Sequence, residues 1–244
     1  MKILLSVLAA ATVLIGANAQ AIDVATVNAA LASADRSDAD KALDAARKPA
    51  EVLDFLGLEP GMTVLDVMSG AGWYTEVLSR AVGSNGKVYM QNGPASLARG
   101  TTAETVATRL NGRLNNVERL DMDTADINLP ANSVDFAITN LNFHDVYNRD
   151  PAAAQAFLLA IKNVLKPGGI LGLIDHAGNI GADNATLHRM PVEDARAAAL
   201  QAGFEISAES DLLKVPSDNR TLAPFAAELE RNTDRFTLKL VKPR

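Results

Sequence analysis

The 244-residue chain has no cysteine, which excludes a disulfide framework, a zinc–thiolate centre and thiol catalysis. Aromatic residues make up only 5% of it and there are three histidines, so imidazole chemistry has few places to be. A basic excess is missing too. Lys and Arg number 23 against 29 Asp and Glu, a formal net charge of −6, and the basic residues are scattered where a nucleic-acid partner needs a clustered basic face. Long apolar runs are absent except at the start. There Met1-Lys2, the apolar stretch Ile3 to Ile15 and the small-residue pattern Ala17-Asn18-Ala19 before Gln20 read as a signal peptide. The run is shorter than the roughly 20 residues needed to span a bilayer. The expectation is cleavage after residue 19 and an exported, periplasmic protein with no stable membrane association.

What the chain does have is Val64-Leu65-Asp66-Val67-Met68-Ser69-Gly70-Ala71-Gly72-Trp73-Tyr74-Thr75-Glu76, a buried strand, a Gly-x-Gly turn and the start of a helix. Glycines without Cβ and the free N–H groups of a helix start let backbone approach a nucleotide-like ligand closely. A second strand, Lys87 to Gln91, follows about 20 residues on, where ribose-contacting acids stand in such units. Gln91 and Asn92 stand there instead.

Further strands are expected at Val117–Asp121, Val134–Asn140, Ile170–Asp175, Phe204–Glu209 and Phe236–Val241. Helices are expected at Trp73–Ala81, Ala103–Leu110, Pro151–Leu165 and Val192–Ala202 between them, and at Ala21–Leu31, Ser37–Ala46 and Pro49–Leu56 before them. Strands alternating with helices, several of them continuous apolar runs, imply a mostly parallel sheet covered on both faces. No clear helix separates the last two strands, which permits an antiparallel final pair. The expected organisation is residues 1–19 as signal, 20–48 as a helical extension and 49–244 as one α/β domain. Asp218-Asn219-Arg220, in the loop before the last strand, is either a rim of the site or a solvated connection.

The chain from Pro49 to Pro243 resembles the class I S-adenosylmethionine-dependent methyltransferases. Val64-Leu65-Asp66 with Gly70-x-Gly72 is similar to that family's first motif, and Ser133-Val134-Asp135-Phe136-Ala137-Ile138 to its fourth strand. Leu165-Lys166-Pro167-Gly168-Gly169 before Ile170-Leu171-Gly172-Leu173-Ile174 resembles the turn into its fifth, and Ala202-Gly203-Phe204 the entry to its sixth. The resemblance implies a Rossmann-like, doubly wound, seven-stranded sheet with an antiparallel last strand, and S-adenosylmethionine as cofactor. It puts Gly70 and Gly72 beside the cofactor's aminocarboxypropyl arm, with Asp66 orienting that turn. Asp123, or Asp121 two residues earlier, matches the acid for the adenine amino group, and Asn140-Leu141 the chain beneath the cofactor. Met68 departs from the family by replacing its first glycine. Gln91 or Asn92 departs by replacing the ribose carboxylate with an amide, which accepts hydrogen bonds without the charge that strengthens them.

Each histidine falls near a strand end or in the loop after it: His144 after the fourth, His176 after the fifth, His188 in the next loop. Ligands of open parallel sheets bind beyond these strand ends, so all three are expected at one pocket. His144 is the first candidate for a general base, with Asp145 or Asp175 as orienter and His176 beside it. Tyr147, His188 and Arg189 are candidate contacts to a small-molecule substrate, Arg for an anionic group. Asp145, Asp175 and His176 are acceptable metal ligands, but their spacing makes no metal motif and none is expected. Two other functions remain open beside methyl transfer: a catalytically silent nucleoside-binding or sensing module of the same fold, and a nicotinamide-dependent oxidoreductase. The oxidoreductase lacks the full Gly-x-Gly-x-x-Gly.

Overall fold

The structure is a computed structural model that describes residues 21–244. The signal peptide expected over residues 1–19 lies outside the described residues. The elements run α1 (Val24–Leu31), α2 (Asp38–Arg47), α3 (Pro49–Leu56), β1 (Thr63–Val67), α4 (Trp73–Val82), β2 (Lys87–Asn92), α5 (Pro94–Leu97), α6 (Thr102–Leu110), β3 (Val117–Asp121), β4 (Val134–Asn140), α7 (Phe143–Arg149), α8 (Pro151–Val164), β5 (Leu165–His176), α9 (Val192–Gln201), β6 (Glu205–Ser210) and β7 (Arg235–Val241).

All seven strands form one sheet in the order β3-β2-β1-β4-β5-β7-β6. Strands β1 to β5 pair in parallel, and β7 inserts antiparallel between β5 and β6. This is the doubly wound, Rossmann-like sheet expected from the sequence. Because β1 has β2 on one side and β4 on the other, the winding reverses there, and a crevice opens above the carboxyl ends of β1 and β4. Both faces are covered. Val64, Phe136, Ile138 and Ile174 pack under α1, α3 and α4, while Leu65, Ala137, Leu171 and Leu173 pack under α7, α8 and α9. Neighbouring strand residues are thus buried on opposite sides, which is why these strands read as continuous apolar runs.

Local sequence accounts for most helix ends. Asp23 accepts the N–H groups of Ala25 and Thr26 at the start of α1, Ser37 caps α2, and Pro49 opens α3, which stops at Gly57 with φ +81°. The short helix α5 was not expected, and two further differences bear on the site. Strand β5 begins at Leu165, because Lys166-Pro167-Gly168-Gly169 forms an irregular entry: Val134 pairs with Leu165 and Phe136 already with Ile170. Helix α7 was not expected at all. Its N-cap residue Asn142 makes no side-chain capping bond. The cap comes instead from β5, where the Asp175 carboxylate accepts the His144 N–H at 2.7 Å.

Candidate active site

Above β1 the chain makes three positive-φ turns within five residues: Met68 (+53°), Gly70 (+55°) and Gly72 (+83°). Glycine is favoured at 72 chiefly by its backbone, since a Cβ there would stand 2.7 Å from the movable Met90 methyl and 3.0 Å from Arg109 Cδ. A Cβ on Gly70 would meet nothing within 4 Å. It would point into a chamber of about 330 Å3 bounded by Asp66, Met68, Trp73, Tyr74, Asn140 and Leu141 among others.

The two departures from the family pattern turn out to be one device. Met68 holds a left-handed backbone that side-chain-bearing residues adopt at a cost, and Gln91 Oε1 accepts its N–H at 2.9 Å while Asn142 Nδ2 donates to its carbonyl at 3.0 Å. Gln91 Nε2 donates to the Met122 carbonyl, Asn92 Oδ1 accepts from the Gly70 N–H, and Asn92 Nδ2 donates to Ser69 Oγ and the Gly70 carbonyl. Both amides are 1% exposed. Their hydrogen-bonding atoms are committed to the loop and, for Gln91 Nε2, to the Met122 carbonyl, so Gln91 and Asn92 shape the cradle and do not present a ribose acceptor, contrary to the sequence-based expectation. Asp123 is exposed beside Gly93, outside the chamber.

Asp66 is buried at the chamber floor, where its carboxylate accepts the Thr75 hydroxyl at 2.6 Å. Burial outweighs that bond and raises its pKa from 3.8 to about 7. Helix α2 closes the top. The Asp40 carbonyl accepts Trp73 Nε1–H, and the Asp40 carboxylate takes two bonds from Arg109, whose Nε–H reaches the Ala71 carbonyl. Arg109 also pairs with Glu76, a carboxylate with no exposed surface that binds Arg80 and Arg113 as well. Burial alone would raise the Glu76 pKa, but the three arginines lower it. This brace of the glycine loop was not found from sequence. The only signal was Glu76 among the apolar residues Trp73, Tyr74, Val77 and Leu78 of α4.

The three histidines do come together at the ends of β4 and β5. The His144 ring lies 5.8 Å from both the His176 and His188 rings, and His188 stands edge-on to Phe225 at 5.3 Å. Asp175, fully buried, takes His144 Nδ1 at 2.7 Å. Asp145 lies 3.3 Å from His144 Nε2 and 2.9 Å from His188 Nδ1. Burial pulls the His144 pKa down, yet the bonds and charges of Asp145 and Asp175 outweigh it and raise the value from 6.5 to about 9. At neutral pH His144 is therefore a 3%-exposed imidazolium, and the expectation of a free general base is corrected. His176 goes the other way: burial, then the nearby charge of Arg235, pushes it down to about 2. It is a neutral ring whose Nδ1 bonds Thr233 Oγ1.

Two expected substrate contacts are elsewhere. Arg189 is fully buried, with a two-oxygen pair to Asp218 at 2.9 and 3.1 Å and bonds to the Leu222 and Ala177 carbonyls. It ties down the 218–220 loop and has no free N–H fork for a substrate. Tyr147 packs beside Phe143 on the α7–α9 face of the core. Beyond the glycine-loop chamber lies a second chamber of about 260 Å3, lined by Leu43, Arg47, Leu141, His176, Phe225 and Arg235 among others. It shares Leu43, Arg47 and Leu141 with the first. A larger open groove, about 680 Å3, runs past Ser79, Gly83, Lys87 and Val117, at the amino ends of β2 and β3, the wrong sheet edge for a ligand of this fold.

The fold is shared with solved S-adenosylmethionine-dependent methyltransferases. Residues 65–173 match the family described as "Methyltransferase domain". A ubiquinone/menaquinone biosynthesis C-methyltransferase, UbiE, of Escherichia coli is 30% identical over 123 residues, 50% of this chain and 46% of that protein. The chain thus spans about half the length of the curated relatives it matches. Among solved structures, an S-adenosylmethionine-dependent methyltransferase from Aquifex aeolicus superposes with a TM-score of 0.62 at 24% identity, covering 90% of this chain and 98% of that one. The [4+2]-cyclase SpnF superposes at 0.60 with 20% identity, covering 82% of each chain. One architecture therefore carries differently named reactions, and function has to be argued from the site.

Proposed function

We propose that this chain is an exported S-adenosylmethionine-dependent methyltransferase acting on a small, negatively charged acceptor. The observation that carries the reading is the pair of chambers meeting at Leu43, Arg47 and Leu141 on the carboxyl edge of the sheet. The first chamber fits the donor's aminocarboxypropyl arm: a glycine wall open where a Cβ would intrude, the Asp66 carboxyl at its floor, and a Tyr74 hydroxyl that is buried without a partner among the described residues. Such an orphan hydroxyl is the kind of group a polar ligand satisfies. S-adenosylmethionine supplies a methyl group activated by its sulfonium sulfur.

The residues of the second chamber then define the acceptor. Arg47, Arg231 and Arg235 face it against a single acid, Glu230. Burial lowers the Arg235 pKa to about 10, which leaves it charged at neutral pH. Three cations select an acceptor that arrives as an anion, so its nucleophilic atom needs little help from a base. Neutral His176 orients that acceptor by hydrogen bonding, and α2 with Trp73 excludes water from the approach line. Export rests on the Met1 to Ala19 pattern.

Calorimetry of the purified protein with S-adenosylmethionine and S-adenosylhomocysteine, followed by labelled-methyl transfer to a panel of phenolates, enolates and carboxylates, tests the reading. Binding of both nucleosides with methylation of an anionic acceptor is expected. Absence of donor binding overturns the proposal. Donor binding with no methylated acceptor favours the second reading, a silent nucleoside-binding module, which the commitment of Gln91 and Asn92 to the loop supports.

A further inference from the structure

The histidine edge contains a feature that methyl transfer does not use. Asp175 takes His144 Nδ1 with one oxygen and the His144 backbone N–H with the other, at 2.7 Å each. The ring is thereby fixed with Nδ1–H inward and Nε2 outward, the arrangement in which a carboxylate orients a metal-binding histidine. Nε2 faces Asp145 Oδ1 at 3.3 Å, and the same oxygen stands 2.9 Å from His188 Nδ1. The Nε2–Oδ1 gap is longer than the roughly 2.7–2.9 Å of a charge-assisted N–H···O bond, and the proton that Nε2 carries is the one a bound cation displaces. A tetrahedral ion bound at about 2.0–2.1 Å holds its ligand atoms about 3.3 Å apart. The three donor atoms all lie within 4.8 Å of one another.

We propose that His144 Nε2, Asp145 and His188 form a binding site for a first-row divalent transition cation, with Asp175 as the residue that orients His144. Two imidazoles and one carboxylate suit zinc, cobalt or iron rather than magnesium or calcium. Asp145 and His188 keep 49% and 42% of their side-chain surface exposed. The ion can therefore enter from solvent, and a fourth position stays open to water or a ligand, as in zinc sites that act on substrates. Phe225 links this position to the acceptor chamber, because it stacks on His188 and lines the chamber. The separation of 43 positions between Asp145 and His188 hides the set from any spacing motif, which is why no metal is expected from the sequence.

The test is titration of the chelator-treated full chain with cobalt(II), read by visible ligand-field absorption and by competition with zinc. One equivalent bound with the intense absorption of a four- or five-coordinate site is expected. Asp145→Asn keeps the shape of a half-exposed side chain, and His188→Gly suits the left-handed backbone there (φ +48°). Each is expected to weaken cobalt binding at least 10- to 100-fold with the melting temperature little changed. No uptake by the wild-type chain overturns the proposal and leaves a proton alone between His144 and Asp145. Undiminished uptake by both variants also overturns it, by placing the ion elsewhere.

Discussion

The glycine loop and the histidine edge lie side by side at one end of the sheet, and they treat polar groups in opposite ways. In the loop every departure from the usual pattern is answered inside the protein: Gln91 and Asn142 hold the Met68 peptide, Asn92 holds Gly70, and Arg109 holds Ala71. At the histidine edge the groups are held in place but left open to solvent. His144 Nε2 meets Asp145 only at 3.3 Å, and the Asp145 and His188 side chains stay 49% and 42% exposed. The contrast teaches that a network closed on itself marks a cradle, whereas an oriented set of ligand atoms left open to solvent marks a place for something from outside.

The largest expected effect concerns Arg189, whose sequence neighbour is the half-buried His188. Arg189→Met leaves the Asp218 carboxylate buried without its partner and should cost about 3–5 kcal/mol, seen as a lower urea midpoint with an unchanged slope. A folded Arg189→Met protein of normal stability but weaker acceptor binding would restore Arg189 to the site and blur the comparison.

Titration separates the two regions next. The folded-state pKa of Asp66 is raised from 3.8 to about 7, so the stability it contributes is complete below pH 3.8 and is lost as pH rises through 7. The His144 value is raised from 6.5 to about 9, so its contribution is complete below pH 6.5 and lost as pH rises through 9. The sizes are about 4 and about 3 kcal/mol. Urea unfolding across pH 4 to 10 in chelator should show both declines. Asp66→Asn is expected to flatten only the lower window and His144→Gln only the upper. If either variant flattened both, the regions would titrate as one unit.

The smallest effect divides the loop itself. Gly72→Ala meets Met90 and Arg109 at φ +83° and should cost about 1–3 kcal/mol. Gly70→Ala finds open space, so its cost should be about 1 kcal/mol, while affinity for S-adenosylhomocysteine falls at least tenfold in calorimetry. Equal affinities for wild type and Gly70→Ala would move the donor out of this chamber.

Much of this molecule was legible in the chain because the relevant signals are local. Apolar runs bounded by caps placed β1, β3, β4 and α3 to the residue, and the order of strands and helices determined a doubly wound sheet. That all three histidines follow strand ends puts them on one edge, since parallel strands deliver their carboxyl ends to the same side. Roles were another matter. Whether Arg189 is a substrate contact or a buried strut, whether Gln91 faces a ribose or a Met68 peptide, and whether His144 carries a proton depend on partners 22 to 31 residues away or more. Helix α7 itself starts on a carboxylate from β5. Local pattern determines which backbone a segment prefers, through sterics and burial that a few neighbouring residues decide. Charge state and hydrogen-bond commitment are set by whatever the fold brings within about 3–4 Å, and only the tertiary structure decided that.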